Sequence, residues 1–221
     1  MKKLIFFLLF AASIQILSGQ IKSAQITYTM DYSADEESED GESVASFFEG
    51  SSMSIYFNPS MMRTDIVFGL IMDMKVIINY TGKNGLILMS TFGSNFAVPA
   101  TLDQILDNGS SADEKPVLEL VSGTKKILKY KCKKALQTDA AGNVTTIWYS
   151  EKFKVPVSYF GVAQDIPGLP LEIESNNSGV RIVFTATEIK KGEPEEGTFS
   201  LDIPEGYEEM SYEEFSSMGE E

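Results

Sequence analysis

Apolar residues in this chain recur at every second position over short runs, a period that belongs to strands and excludes most helical folds. Ile26, Tyr28, Met30 and Tyr32 alternate with Thr27, Thr29 and Asp31, so the bulky side chains share one face of an extended segment. Residues 53–57, 62–68, 75–80 and 86–92 read as further strands, separated by Asn58-Pro59, Gly69 and Gly82-Lys83-Asn84-Gly85, all of them turn formers. Strands that follow one another at this spacing predict an antiparallel meander with one apolar face, formed by Met53, Ile55, Phe57, Val76, Ile78, Ile87 and Met89.

That face needs a cover. Residues 99–107 supply one: Leu102, Ile105 and Leu106 recur at helical spacing and Asn108-Gly109 provides a stop, which predicts a short amphipathic helix. After a polar connection over 109–115, residues 125–137 and 144–152 read as a hairpin across 139–143, and 169–175 and 180–188 as another across 176–179. In the tail, Tyr207, Met210 (or Ser211) and Phe215 approach helical spacing and predict a docked helix before a frayed acidic end. The expected fold is mainly β (α+β), a single domain over residues 20–221.

The first residues carry Lys2-Lys3, an apolar run over 4–12 and a polar stretch ending at Ser18-Gly19, the three regions of a secretory signal spanning residues 1–19. The apolar run is short of the roughly 20 residues that cross a bilayer. The expected product is exported, periplasmic or extracellular, with no transmembrane segment in the mature chain. Gln20 stands where a lipoprotein signal would carry its lipidated cysteine, so lipid anchoring by that route is not expected.

The chain has 18 basic and 32 acidic residues, net −14; without Lys2 and Lys3, 16 basic residues leave −16. Such a field repels phosphate backbones, and no nucleic-acid partner is expected. The basic cluster between Lys125 and Lys134 reads as a solvated strand surface that alternation splits across two faces. The acidic run in the loop near 34–43 lacks the ordered ligand spacing of a calcium loop and reads as solvated. With no histidine and one cysteine, imidazole-based metal sites, Ser-His and Cys-His nucleophiles and intrachain disulfides are ruled out. Ser90 and Ser150 have no basic partner in a recognisable phrase, and no pair of carboxylates stands out. No enzyme activity, cofactor or metal is expected. Cys132, inside a patterned strand, is expected to be buried.

Three phrases in the second half form a signature: Tyr130-Lys131-Cys132-Lys133, then Trp148-Tyr149, then Pro167-Gly168-Leu169-Pro170-Leu171-Glu172, followed by Ile203-Pro204-Glu205-Gly206-Tyr207. From Lys125 to Tyr207 the chain resembles a domain-of-unknown-function family of exported bacterial proteins related to the GLPGLI group of Bacteroidetes-type envelopes. That family is similar in architecture to the LolA-like lipoprotein carriers, so the resemblance implies a curved antiparallel half-barrel wrapped around short helices and an apolar cavity. The flexible and bulky residues Met53, Met62, Met72, Met89, Phe92 and Phe96 are the candidate lining. Trp148 and Tyr149 must point to opposite faces, with Trp148 the one expected inside. Pro167-Gly168-Leu169-Pro170 reads as a rigid turn feeding a strand. The expected function is non-enzymatic binding or carriage of a lipid or other apolar molecule. The rival is an envelope protein with a filled core that binds another protein.

Overall fold

Alternation is visible directly in burial: along β2 (Ser52–Phe57) every second residue is buried and along β3 (Met61–Phe68) the same pattern continues. The structure, a computed structural model, describes residues 20–34, 50–69, 71–107, 116–155, 166–177 and 180–218. The signal segment and almost all of the acidic loop lie outside the described residues.

Among the described residues twelve strands form one sheet in the order β12-β6-β5-β4-β3-β2-β1-β11-β10-β9-β8-β7. β1 (Ala24–Ala34), β2, β3, β4 (Met72–Asn79), β5 (Asn84–Thr91) and β6 (Ser94–Thr101) make the first antiparallel meander. β7 (Val117–Ile127), β8 (Tyr130–Thr138), β9 (Val144–Ser150), β10 (Leu169–Asn177) and β11 (Val180–Lys191) make the second. The two join where β1 pairs with β11. A flat sheet would hold β1 and β8 about 19 Å apart, four intervals of about 4.8 Å. Instead Tyr28 on β1 feels the Cys132 thiol on β8, and both belong to one buried cluster with Ile26, Phe57, Phe153 and Leu171. The sheet therefore curls.

The predicted helix is present as α1 (Leu102–Asp107), but Pro99, Ala100 and Thr101 belong to β6, a strand the turn signals did not mark. A side-chain carbon on Gly85 would meet the Ile77 carbonyl oxygen of the neighbouring strand first and Ile105 Cδ1 of α1 next, which is why this strand position lacks a side chain. The predicted strand over 125–137 is two strands, β7 and β8, joined by Leu128-Lys129, with Leu128 at φ 51°. The turn carries no Gly, Asn or Pro, so composition gave no warning of it.

The C-terminal segment wraps the β6 edge. Leu201 and Tyr207 pack on Leu86, Leu88 and Ala97 on one face. β12 (Glu208–Glu209) then runs parallel to β6 at Phe96-Ala97 and the Met210 N–H donates to the Ala97 carbonyl at 2.9 Å. Met210, Tyr212 and Phe215 pack with α1 on Val76, Ile87 and Val98; since Ile87 sits between Leu86 and Leu88, this is the opposite face. The tail helix is α2 (Tyr212–Ser217), opened by a Ser211/Glu214 capping box, and it excludes Tyr207, which the helical reading had included. The capping bonds hold the Glu214 carboxyl below its usual range.

Burial also predicts how stability responds to alkali. It raises the hydroxyls of Tyr28 and Tyr80 well above the usual tyrosine range, and it raises the Cys132 thiol. All three groups hold their protons more tightly folded than unfolded. Their contribution is complete below the ordinary values, about 8.5 for Cys and 10 for Tyr, and is lost as pH rises through them. Tm is expected to be level up to about pH 8, to fall from about pH 9 and to drop more steeply above about pH 10. A Tm that held to pH 11 would contradict this assignment.

Candidate functional site

Register places the candidate apolar residues other than Phe92 on one face of the first meander. Tyr28, Met53, Ile66, Met74, Met89 and Phe96 face one another in a single row across six strands. The next row towards the β3–β4 and β5–β6 turns holds Phe68, Met72, Thr91 and Ser94. Tyr28 and Met53 are fully buried, whereas Met72, Met74 and Phe96 are half-buried. α1 and α2 cover the two rows on the other side, through Val76, Ile78, Ile87, Val98 and Ala100. The methionine row thus lies beside the helices, closed from β1 to Ile66 on β3 and half-open at Met74 and Phe96, with buried Met89 between them.

Met53, Met89 and Phe96 share that row and Met72 adjoins it. Met62 lies two rows away, buried beside Phe57 and Ile78. Phe92 stands at the tip of the β5–β6 turn, 88% exposed at φ 46°. Met74 and Phe68 were not among the sequence candidates; their same-face spacing with Met72 and Ile66 was the available signal. Thioethers here present a deformable, polarizable apolar surface without a hydrogen-bonding demand.

The signature phrases meet on neighbouring strands of the second meander. Lys125 faces Cys132, Lys134 faces Trp148, and Trp148 faces Glu172. Lys125 Nζ reaches Glu172 Oε2 at 2.6 Å and stands 5.2 Å from the Trp148 ring centroid, with Lys134 Nζ at 5.9 Å. Tyr149 is the buried partner at 2% exposure and Trp148 is half-buried, the reverse of the expectation. Tyr149 packs with Ala135, Ile147, Ile166 and Ile173, while Trp148 lies against the central cluster with two lysines about its ring, an arrangement that favours partial exposure. The Tyr130 ring packs against Phe153 with centroids 4.8 Å apart and planes tilted by 56°. The Pro167–Pro170 phrase enters β10: Leu169 and Leu171 are core, and the Pro170 carbonyl accepts from the Tyr28 hydroxyl at 2.7 Å.

Cys132 is fully buried and its thiol is raised by that burial. It is expected to resist a disulfide reagent at about pH 8 in native protein and to react at once in denaturant. Fast native labelling would contradict its position. Among the described residues no three Cys, Asp or Glu side chains converge as a metal site, and no helix is long and apolar enough to cross a membrane.

No curated protein matches the chain. Among solved structures it is similar to PNGF-II in its P21 crystal form, with TM-score 0.55 and 20% identity over 89% of this chain and 33% of that one. The C2 form gives TM-score 0.53 and 18% identity over 88% and 32%. The chain therefore spans about a third of the length of the PNGF-II chains it matches. A LolA superfamily protein from Nitrosomonas europaea, NE2245, aligns at TM-score 0.34 and 11% identity over 81% of this chain and 90% of its own. The family model described as N-glycanase peptide, N-terminal domain, matches residues 95–212. That stretch runs from β6 to the start of α2, takes in all the signature phrases, and covers more than half of the sequence: the chain belongs to this family.

Proposed function

We propose that the protein is a non-catalytic, exported binding module, a single domain over residues 20–221, that holds an acyl chain or similar apolar group against the methionine row of the first meander. The observation that carries this reading is the partial opening of that row at Met74 and Phe96, on either side of buried Met89, next to the area that α1 and α2 cover. A row needed only for packing gains nothing from half-exposed methionines, whereas an adaptable apolar wall suits a flexible guest. The test is native mass spectrometry of protein purified without detergent, followed by melting of stripped protein with a long-chain fatty acid. A discrete lipid-sized adduct is expected, and at about a hundredfold excess over Kd a stabilisation of about 2.7 kcal/mol. An apo mass together with an unmoved Tm would overturn the reading.

A second reading has its own support. Membership in a family of N-terminal domains, and the match to only a third of PNGF-II, fit a module that docks on another polypeptide with its core filled. Chemical crosslinking that yields one dominant protein partner, from a protein with no bound lipid, would favour it.

A further inference from the structure

The methionine row opens towards the β3–β4 and β5–β6 turns; the opposite end of the sheet has a different character. The β7–β8 hairpin ends there in Leu128-Lys129. Leu128 is 47% exposed and held at φ 51°, a conformation that suits glycine or asparagine and disfavours leucine. Exposed lysines surround it. Lys126 and Lys131 face each other directly across the ladder, a like-charge pair that weakens the hairpin. Lys129 and Lys191 hold their Nζ atoms 6.0 and 5.9 Å from the Tyr130 ring centroid. Tyr130 packs against Phe153, which bridges to Ile21 and so brings Lys22 and Lys154 to the same end.

Of the acids at this end, Glu151 pairs with Lys133, Glu172 with Lys125 and Glu188 with Lys190; Glu193 accepts from the Ser23 hydroxyl, and Glu195 and Glu196 follow it in the chain. Among the described residues no ion pair reaches Lys22, Lys126, Lys129, Lys131, Lys154 or Lys191. In a chain of net charge −14 this is a concentrated positive field, assembled from four separate segments. Both turn strain at Leu128 and like-charge repulsion between Lys126 and Lys131 are retained here.

We propose that this end docks on an anionic lipid surface, with Leu128 entering the interface and the surrounding lysines meeting the headgroups. The cations are lysines on flexible stems, dispersed around the tip; no arginine fork offers bidentate grip on a single phosphate. An apolar tip ringed by lysines matches a bilayer interface, where charge and buried apolar area add. A soluble polyanion would use the lysines but would have no use for Leu128.

The test is sedimentation with vesicles of phosphatidylcholine alone and with about one quarter phosphatidylglycerol, at about 0.05 and 0.5 M salt. Binding is expected only to the anionic vesicles and only at low salt. The combined variant Lys22→Gln, Lys129→Gln, Lys154→Gln and Lys191→Gln is expected to lose on the order of a thousandfold in affinity. Leu128→Gly relieves the backbone, so it is expected to melt no lower than wild type while binding severalfold more weakly. Equal binding to both vesicles, no binding, or an unweakened quadruple variant would overturn the proposal. Retention on an acidic polysaccharide without vesicle binding would overturn it as well, and Leu128→Gly binding like wild type would remove the wedge. Because the methionine row opens at the other end, fatty-acid uptake is expected to survive all of these substitutions.

Discussion

Gly168→Ala is expected to melt roughly 10 °C below wild type, equivalent to about 3 kcal/mol for a chain of this size. A side-chain carbon on Gly168 would press on the Ser150 carbonyl oxygen, lie 2.7 Å from its carbon and 3.0 Å from Glu151 Cα. All three are backbone atoms, so no rotamer change can make room. Relief requires that β9 and β10 separate where Leu169 pairs with Ser150, which would disturb the buried Leu169 and Leu171. Gly197→Ala is the comparison: φ there is +83° and the space is open, so only the left-handed backbone costs, about 1 kcal/mol. Equal melting of the two variants would refute a packing role for the glycine of this turn.

Removal of the Tyr28 side chain is the second large effect. Tyr28 is 1% exposed, faces Met53 across β1/β2 and Ala186 across β1/β11, and donates its hydroxyl hydrogen bond to Pro170. It therefore ties the two meanders to the signature turn. Tyr28→Ala leaves a large cavity and is expected to cost about 3 to 5 kcal/mol. Tyr28→Phe keeps the ring and withdraws one buried hydrogen bond, at about 1 to 2 kcal/mol. Urea unfolding separates them: the midpoints should fall in that order with the m-value preserved. A Phe variant as unstable as the Ala variant would mean that the hydroxyl, not the ring, holds the meanders together.

Much of the architecture was legible because one face is buried: a period of two fixes which residues share a face, and Asn58-Pro59 and Gly82-Gly85 mark where the chain reverses. The helix over Leu102–Asp107 announced itself through Leu102, Ile105 and Leu106. What stayed hidden depends on contacts distant in sequence. β6 reads poorly as a strand because both its faces are covered, one by α1 and α2 and the other by Leu201 and Tyr207, so its pattern does not alternate. The Leu128-Lys129 reversal lacks turn residues. Alternation puts Trp148 and Tyr149 on opposite faces without saying which is inside, and Lys125 reaches over the Trp148 ring to Glu172, a pairing between β7 and β10 that no local pattern encodes. Of the apolar candidates, Met53, Met89 and Phe96 fell into one row because they share strand parity, whereas Phe92 occupies a turn and escapes that rule.

The location of the bound group is tested most directly by methyl NMR of the protein labelled at methionine Cε, titrated with a long-chain fatty acid. The account predicts that the Met72, Met74 and Met89 methyl signals shift together and saturate, while Met62, two rows away beside Phe57 and Ile78, stays in place. Unmoved signals for all three, with or without a change at Met62, would contradict a guest held on the methionine row.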